Sequence, residues 1–361
     1  EEGLAHFIEH TVFKGTERFP NPRIMAEATD RLGGNLDAFT DKESACFYGK
    51  VLREQLPDLV AMLGDLVTTP RFEDDELARE RGVILEEIAQ SEDQPDDWAS
   101  ELFFAHFWSG APLAHSVLGR REQVESYGSA EARAFFQKTY RAPNLLVAAA
   151  GDLEPEAFRA LLEPLLAALP AGDGGAPPLK ANEPRPFLLN VPRQDLQQAS
   201  LVFGFPSCDH RHPDQVAVNL LSQILGGGMS SRLFMELRER HALCYQVGSY
   251  LAHFRDAGAL HIAASCAPEK ARELVSRAVA ECARLAAKGA TQEELDRAKL
   301  QARTGLVFSQ ESTSAHMFTL AHQAMNLDRI RNLDEQLSQI EEVDLEQLNR
   351  VAAQTLRVDQ L

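Results

Sequence analysis

EDDELAR, at residues 73 to 79, returns as TQEELDR at residues 291 to 297, an offset of 218. Each copy follows an amphipathic helix, over 53–67 in one case and 269–287 in the other, and each opens a further helix. Strand-like stretches come before both: NLDAFTDKESACFYGKV in the first half, ALCYQVGSYLAHF and GALHIAASCA in the second. A pattern recurring once at this distance is too long for a solenoid repeat, and it predicts a duplicated domain. Short strands mixed with long helices make each copy α+β, a mostly antiparallel or mixed sheet packed with helices. Between the copies lies AGDGGAPPLKANEPRP, residues 171 to 186, rich in Gly and Pro and without periodicity. The expected organisation is one domain over 1–171, a linker over 172–186 and a second domain over 187–361.

The duplication also bears on the ends. The second copy begins with FLLNVPRQDLQQASLVFGFP, two strand candidates, before a first helix near 213–225. The first copy starts directly on a helix. KTYRAPNLLVAAAGDL, residues 138 to 153, reads as a helix end running into a buried strand, whereas QTLRVDQL stops where its counterpart would begin. We therefore expect the first domain to lack its opening strands and the second its last strand.

Acidic residues outnumber basic ones by 54 to 36, for a formal net charge of −18. That balance argues against a nucleic-acid partner, which needs a basic face, and is compatible with basic peptides. Five cysteines, an odd number with no C-x-x-C, predict free thiols in a reducing compartment. A cytoplasmic setting fits, with the mitochondrial matrix or periplasm left open because a leader could precede Glu1. No apolar run is long enough to span a membrane.

Chemistry concentrates in HFIEH, residues 6 to 10. On a helix, His6 and His10 lie about 40° apart on one face, with Glu9 about 60° to the other side of His6. Imidazoles at i and i+4 can share one zinc ion, with the glutamate placed to act on a water. The order H-x-x-E-H is that of the inverted zinc peptidases. On these five residues alone, two packed histidines are as good a reading. Zinc needs a third ligand, and DDELARERGVILEEIAQ, residues 74 to 90, offers candidates. There Leu77, Val83, Ile84 and Ile88 form an apolar stripe. Glu80 and Glu87, seven apart, share a face, and Glu86 competes from about 100° away.

Taken together, GLAHFIEHTVFKGTERFP and ERGVILEEI resemble the M16 zinc metallopeptidases, the pitrilysin and insulinase group that includes the mitochondrial processing peptidase and two-domain bacterial chains. The resemblance covers nearly the whole chain. It implies the duplicated metallohydrolase fold, one Zn2+ per chain bound by His6, His10 and Glu87, Glu9 as general base, and Glu80 as a supporting acid. It implies peptide hydrolysis inside a chamber closed by two such chains or two fused halves, with metal-bound water as nucleophile. LGGNLDAFTDKESACFYGK resembles the family's active-site edge strand, so Asp37, Ala38, Phe39 and Thr40 are expected to meet substrate by strand addition. Many members carry Asn at the position of Asp37, and an ionised carboxylate cannot donate a hydrogen bond.

In the second half, GGGMSSRLFMELRERHALCY resembles the family's glycine-rich loop (Gly226, Gly227, Gly228) and its Arg/Tyr pair (Arg238, Tyr245), which would hold a substrate carbonyl. From the residues alone it reads as a Gly-rich helix start with a surface Arg and a half-buried Tyr. At the 218-residue offset, Glu80 maps to Ala298 and Glu87 to Gly305, so the second copy carries no metal set. The function expected is a zinc endopeptidase acting on peptides or unfolded, presequence-like segments, as a homodimer. The alternatives are a non-catalytic structural subunit of the same fold, as in the respiratory bc1 complex, and one subunit of a heteromeric processing peptidase. The intact His6, Glu9, His10 and Glu87 argue against the first, and Arg238 with Tyr245 against the second.

Overall fold

The computed structural model describes residues 2–172, 183–193 and 195–361; most of the expected linker lies outside them. The chain forms two compact units, residues 1–91 with 115–178, and residues 92–114 with 179–361. In order, the first unit holds α1 (Leu4–Val12), α2 (Pro22–Arg31), β1 (Asn35–Thr40), β2 (Ala45–Lys50), α3 (Leu56–Thr68) and α4 (Asp74–Asp93). Helix α5 (Pro95–Phe107) belongs to the second unit, and α6 (Arg121–Ser126), α7 (Ser129–Thr139) and α8 (Pro155–Ala168) return to the first. The second unit continues with β3 (Ala199–Ser207), α9 (Gln215–Gly226), a π-helix (Phe234–Arg240), β4 (Cys244–His253) and β5 (Gly258–Cys266). It ends with α10 (Ala271–Lys288), α11 (Gln292–Ser309), α12 (Thr313–Leu327), α13 (Leu333–Glu342) and α14 (Leu345–Thr355). The expected α+β duplication is present, and both sheets are antiparallel.

Helix α1 forms because its apolar residues recur at helical spacing: Leu4, Phe7, Ile8, Thr11 and Val12 make one buried face. Gly3 opens it at φ 79, and a Cβ there would lie 2.5 Å from the Cα of Gly119, so only glycine fits both the turn and the contact. The core of this unit gathers Phe7, Ile8, Leu66, Leu77, Ile84 and Val124. In α4 the buried stripe is Leu77, Glu80, Ile84 and Ile88. The sequence pattern put Val83 in that stripe, but Val83 is 51% exposed. Glu80 takes the inward position because polar partners meet it there.

In the second unit the sheet order is β3-β5-β4. Its core centres on Phe205, Leu221, Leu225, Leu260 and Ile262, closed by Leu274, Leu285 and Leu348 from the helices. Thr291 and Glu294 open α11 with reciprocal bonds, the capping box that TQEE spells. Residues 92–114 depart from the expected 1–171 boundary, and the reason is aromatic burial. Phe103, Phe107 and Trp108 pack with Ala259 of β5 and with Val202 and Phe254.

Two expected strands do not form. Residues 145–150 and 187–192 pair with no strand among the described residues. Leu188 is 97% exposed, and a strand without a laterally paired neighbour has neither ladder bonds nor cross-strand packing to hold it. No helix among the described residues is long and apolar enough to cross a membrane.

Burial lowers the pKa of His261 to about 4, and burial together with the nearby His322 and His253 lowers that of His210 to about 4, from an ordinary 6.5. The unfolded chain therefore takes up these protons first as pH falls, and stability declines between pH 6.5 and 4. Denaturant melts across that window should show a steeper loss for the wild type than for His261→Leu. Equal slopes would contradict the assignment.

Candidate metal centre

Helices α1 and α4 bring three ligand atoms together. Nε2 of His6 and Nε2 of His10 are 3.1 Å apart, and Oε2 of Glu87 is 3.6 Å from each. Among the described residues this is the one group of three or more His, Cys, Asp or Glu side chains able to hold a metal ion. Ligands about 2.0–2.1 Å from a tetrahedral zinc stand roughly 3.3–3.4 Å from one another, so the three separations fit such an ion. Burial, reinforced by His10, lowers the pKa of His6 to about 4, so its ring is neutral at pH 7 and has a lone pair to give. Nδ1 of His6 is buried without a hydrogen-bond partner. Glu87 is the carboxylate that joins this group; Glu86 is exposed and outside it.

Around these atoms, Glu80 and Glu9 each have a polar neighbour. Oε1 of Glu80 is 2.9 Å from Nδ1 of His10, and Oε2 is 2.8 Å from Nζ of Lys14. Burial alone would push the Glu80 carboxyl up. The bonds from His10 and Lys14 outweigh it and hold the group below the ordinary range. A carboxylate bonded to a ligand imidazole fixes the ring's tautomer and orientation. Glu9 points the other way: burial raises its pKa, tempered by Thr40, whose hydroxyl donates to Oε2 at 2.5 Å. A partly buried carboxylate with a raised pKa, beside a candidate metal, has the character of a general base.

Strand β1 pairs with β2 from Asn35↔Lys50 to Thr40↔Ala45, and its other edge is unpaired among the described residues. Thr40 faces Glu9, while Asp37 accepts from the hydroxyl of Tyr48 at 3.2 Å and from the amide of Ala38 at 2.8 Å. Ala38 and Phe39 lie between them, Phe39 exposed.

The remaining expected residues belong to the second unit. The Arg238 guanidinium carbon lies over the rings of Phe234 and Tyr245, 4.6 and 4.7 Å from their centroids, a cation–π contact with each. The π-helix carries Arg238, and a register shift between Cys244 and Gln246 turns Tyr245 outward, 73% exposed rather than half-buried. Arg238, Tyr245, Tyr250 and His261 line a cavity of about 580 Å³ with Asp96 and Ser265. Gly226 ends α9 against β4, where a Cβ would lie 2.4 Å from the amide nitrogen of Ser249. Gly227 packs on Gln223, and Gly228 is open.

Sequence reasoning missed two groups. Lys14 sits four residues beyond His10, a spacing that repeats the one between His6 and His10 and was the available signal. Arg232 binds Glu294 through two bonds of 2.7 Å, fastening the loop after α9 to the start of α11; nothing in the local sequence indicates that partner.

Zinc added at about 100 times its Kd should stabilise the wild type by about 2.7 kcal/mol. The same addition should leave a His6→Ala/His10→Ala double variant where it was. Equal stabilisation of both, read by thermal unfolding, would remove the site.

Residues 1–121 match the family described as Insulinase (Peptidase family M16), and residues 128–302 match Peptidase M16 inactive domain. An uncharacterized zinc protease of Mycobacterium tuberculosis is 34% identical, over 98% of this chain and 81% of its own length. One from Bacillus subtilis is 32% identical, over 99% and 86%. Among solved structures, a protease from Helicobacter pylori superposes with a TM-score of 0.91 at 23% identity, over 99% of this chain and 88% of that one. Complex III2 from Candida albicans superposes at 0.82 and 15% identity, over 99% and 87%. Those two likenesses speak to the fold alone. A two-unit α+β chain with H-x-x-E-H on its first helix, matched over nearly its full length by such relatives, belongs to peptidase family M16.

Proposed function

We propose that this chain is a zinc-dependent endopeptidase that hydrolyses peptides and unfolded segments. The observation that carries the reading is the convergence of His6, His10 and Glu87 with Glu9 beside them. The names of the curated relatives, zinc proteases, support it. A zinc ion held by these three residues would supply Lewis acidity to a scissile carbonyl and acidify a water.

The protein's own groups account for the rest of the chemistry. Glu9 takes the proton of the attacking water and delivers it to the leaving amine. Its burial makes it a better proton acceptor, and Thr40 keeps it aimed. The open edge of β1, over Asp37, Ala38, Phe39 and Thr40, gives backbone groups to an added peptide strand, the Ala38 amide only once it leaves the Asp37 carboxylate. Because the side chains of Asp37 and Thr40 have internal partners, that contact runs through the backbone.

Arg238 and Tyr245 would hold a substrate carbonyl, and the Gly226–Gly228 loop would also meet substrate. The guanidinium keeps its edge donors free of its two aromatic neighbours, which supports that role. The proposed assembly is a homodimer enclosing a chamber, which would favour flexible over folded substrates. The net charge of −18 favours basic ones.

Zinc analysis and cleavage of a quenched fluorescent peptide should be run on the wild type and Glu9→Gln. About one zinc per chain is expected in both, with cleavage lowered about 100-fold or more in the variant. Normal cleavage by Glu9→Gln would remove Glu9 as base, and a wild type without zinc would remove the reading. Arg238→Ala should lower kcat by about 100-fold with zinc retained; an unchanged kcat would free Arg238 from the reaction.

A further inference from the structure

Lys14 belongs to no ligand set, yet it is bound to the centre. It lies two residues past α1, and its ammonium is 2.8 Å from Oε2 of Glu80. The other oxygen of the same carboxylate is 2.9 Å from Nδ1 of His10. Glu80 is 6% exposed, so water does not satisfy it. Among the described residues, its ion pairs are with Lys14 and His10.

The two oxygens of a carboxylate are held rigidly with respect to each other. Fixing Oε2 on the ammonium therefore fixes where Oε1 stands and in which plane. An ionised carboxylate only accepts hydrogen bonds. Nδ1 of His10 must then carry its proton, and Nε2, the nitrogen 3.6 Å from Glu87 and 3.1 Å from His6, carries the lone pair. Removing the ammonium leaves one oxygen of a buried carboxylate without a donor, a costly arrangement. Rotating or swinging away from His10 would relieve that cost.

We propose that Lys14 is a positioning residue of the metal centre, acting through Glu80 to hold His10 with Nε2 presented to the ion. The proposal rests on the zinc reading above. Lys14→Arg and Lys14→Met separate this role from the charge alone, since the ammonium is paired to Glu80. Lysine at this place also explains how a glutamate can occupy the inward stripe of α4.

The test measures zinc affinity by competition with a chromophoric chelator in Lys14→Met, Lys14→Arg, Glu80→Gln and the Lys14→Met/Glu80→Gln double variant. Replacing an outer partner of a ligand costs about 10–100-fold in affinity, and that loss is expected for Lys14→Met. The double variant should bind no more weakly than Glu80→Gln, because both changes break one linkage. Lys14→Arg, which keeps the charge and a donor, should stay near wild type. Wild-type affinity in Lys14→Met, or independent losses that multiply in the double variant, would overturn the proposal.

A second measurement does not depend on the variants folding. Nitrogen-15 shifts of the His10 ring, read in its neutral form in the metal-free wild type, should place the proton on Nδ1 and leave Nε2 bare, and the reverse tautomer would overturn the proposal. A wild type that binds no zinc removes the zinc reading and this proposal together. A wild type that binds zinc beside an unaffected Lys14→Met removes only the role of Lys14.

Discussion

A carboxylate placed in the apolar stripe of a helix is tolerated only where cations or donors meet both oxygens. Glu80 is that carboxylate, and the arrangement of the first unit's centre follows from how it is satisfied. Lys14 takes one oxygen and His10 the other, which ties the end of α1 to the second turn of α4. With that contact fixed, Glu87, two turns further along α4, comes within 3.6 Å of both imidazoles. Three candidate ligand atoms on two helices thereby share their surroundings with a fourth polar group, Glu80.

The same economy appears at Glu9. Its helix position follows from α1, but its orientation comes from Thr40 on β1, the strand proposed to meet substrate. One strand thus presents an open backbone edge and holds the proposed base. Burial and a single short hydrogen bond pull the Glu9 pKa in opposite directions, with burial the larger. In the second unit, Arg238 contacts two aromatic rings and forms an ion pair with Glu239 at 3.8 Å, longer than a hydrogen bond.

Much of this was legible in the chain. The two-histidine motif lies within one helix turn, so periodicity alone places its residues. The seven-residue spacing of Glu80 and Glu87 likewise puts both on one face. The offset copy at 291–297 revealed the duplication, because a repeated helix start is a local signal. Other features were not legible, for reasons that are also physical. Val83 is apolar but lies about 100° round the helix from Ile84, so it turns outward, while the inward place goes to Glu80, a charged residue that composition would have put at the surface. The outward turn of Tyr245 depends on a register shift in β4, which the β5 pairing creates. Residues 145–150 and 187–192 have strand composition, yet strand formation is settled by the neighbour alongside.

The sequence by itself determined the α+β duplication, the H-x-x-E-H helix and the acidic face of α4, because each depends on spacing along one segment. Tertiary structure decided the rest. It selected Glu87 over Glu86 as the atom near both histidines, brought Lys14 to Glu80 and Thr40 to Glu9, and moved residues 92–114 into the second unit through their aromatic side chains. Those outcomes depend on contacts between segments far apart in the chain, and the periodicity of one segment carries no information about which partner it will meet.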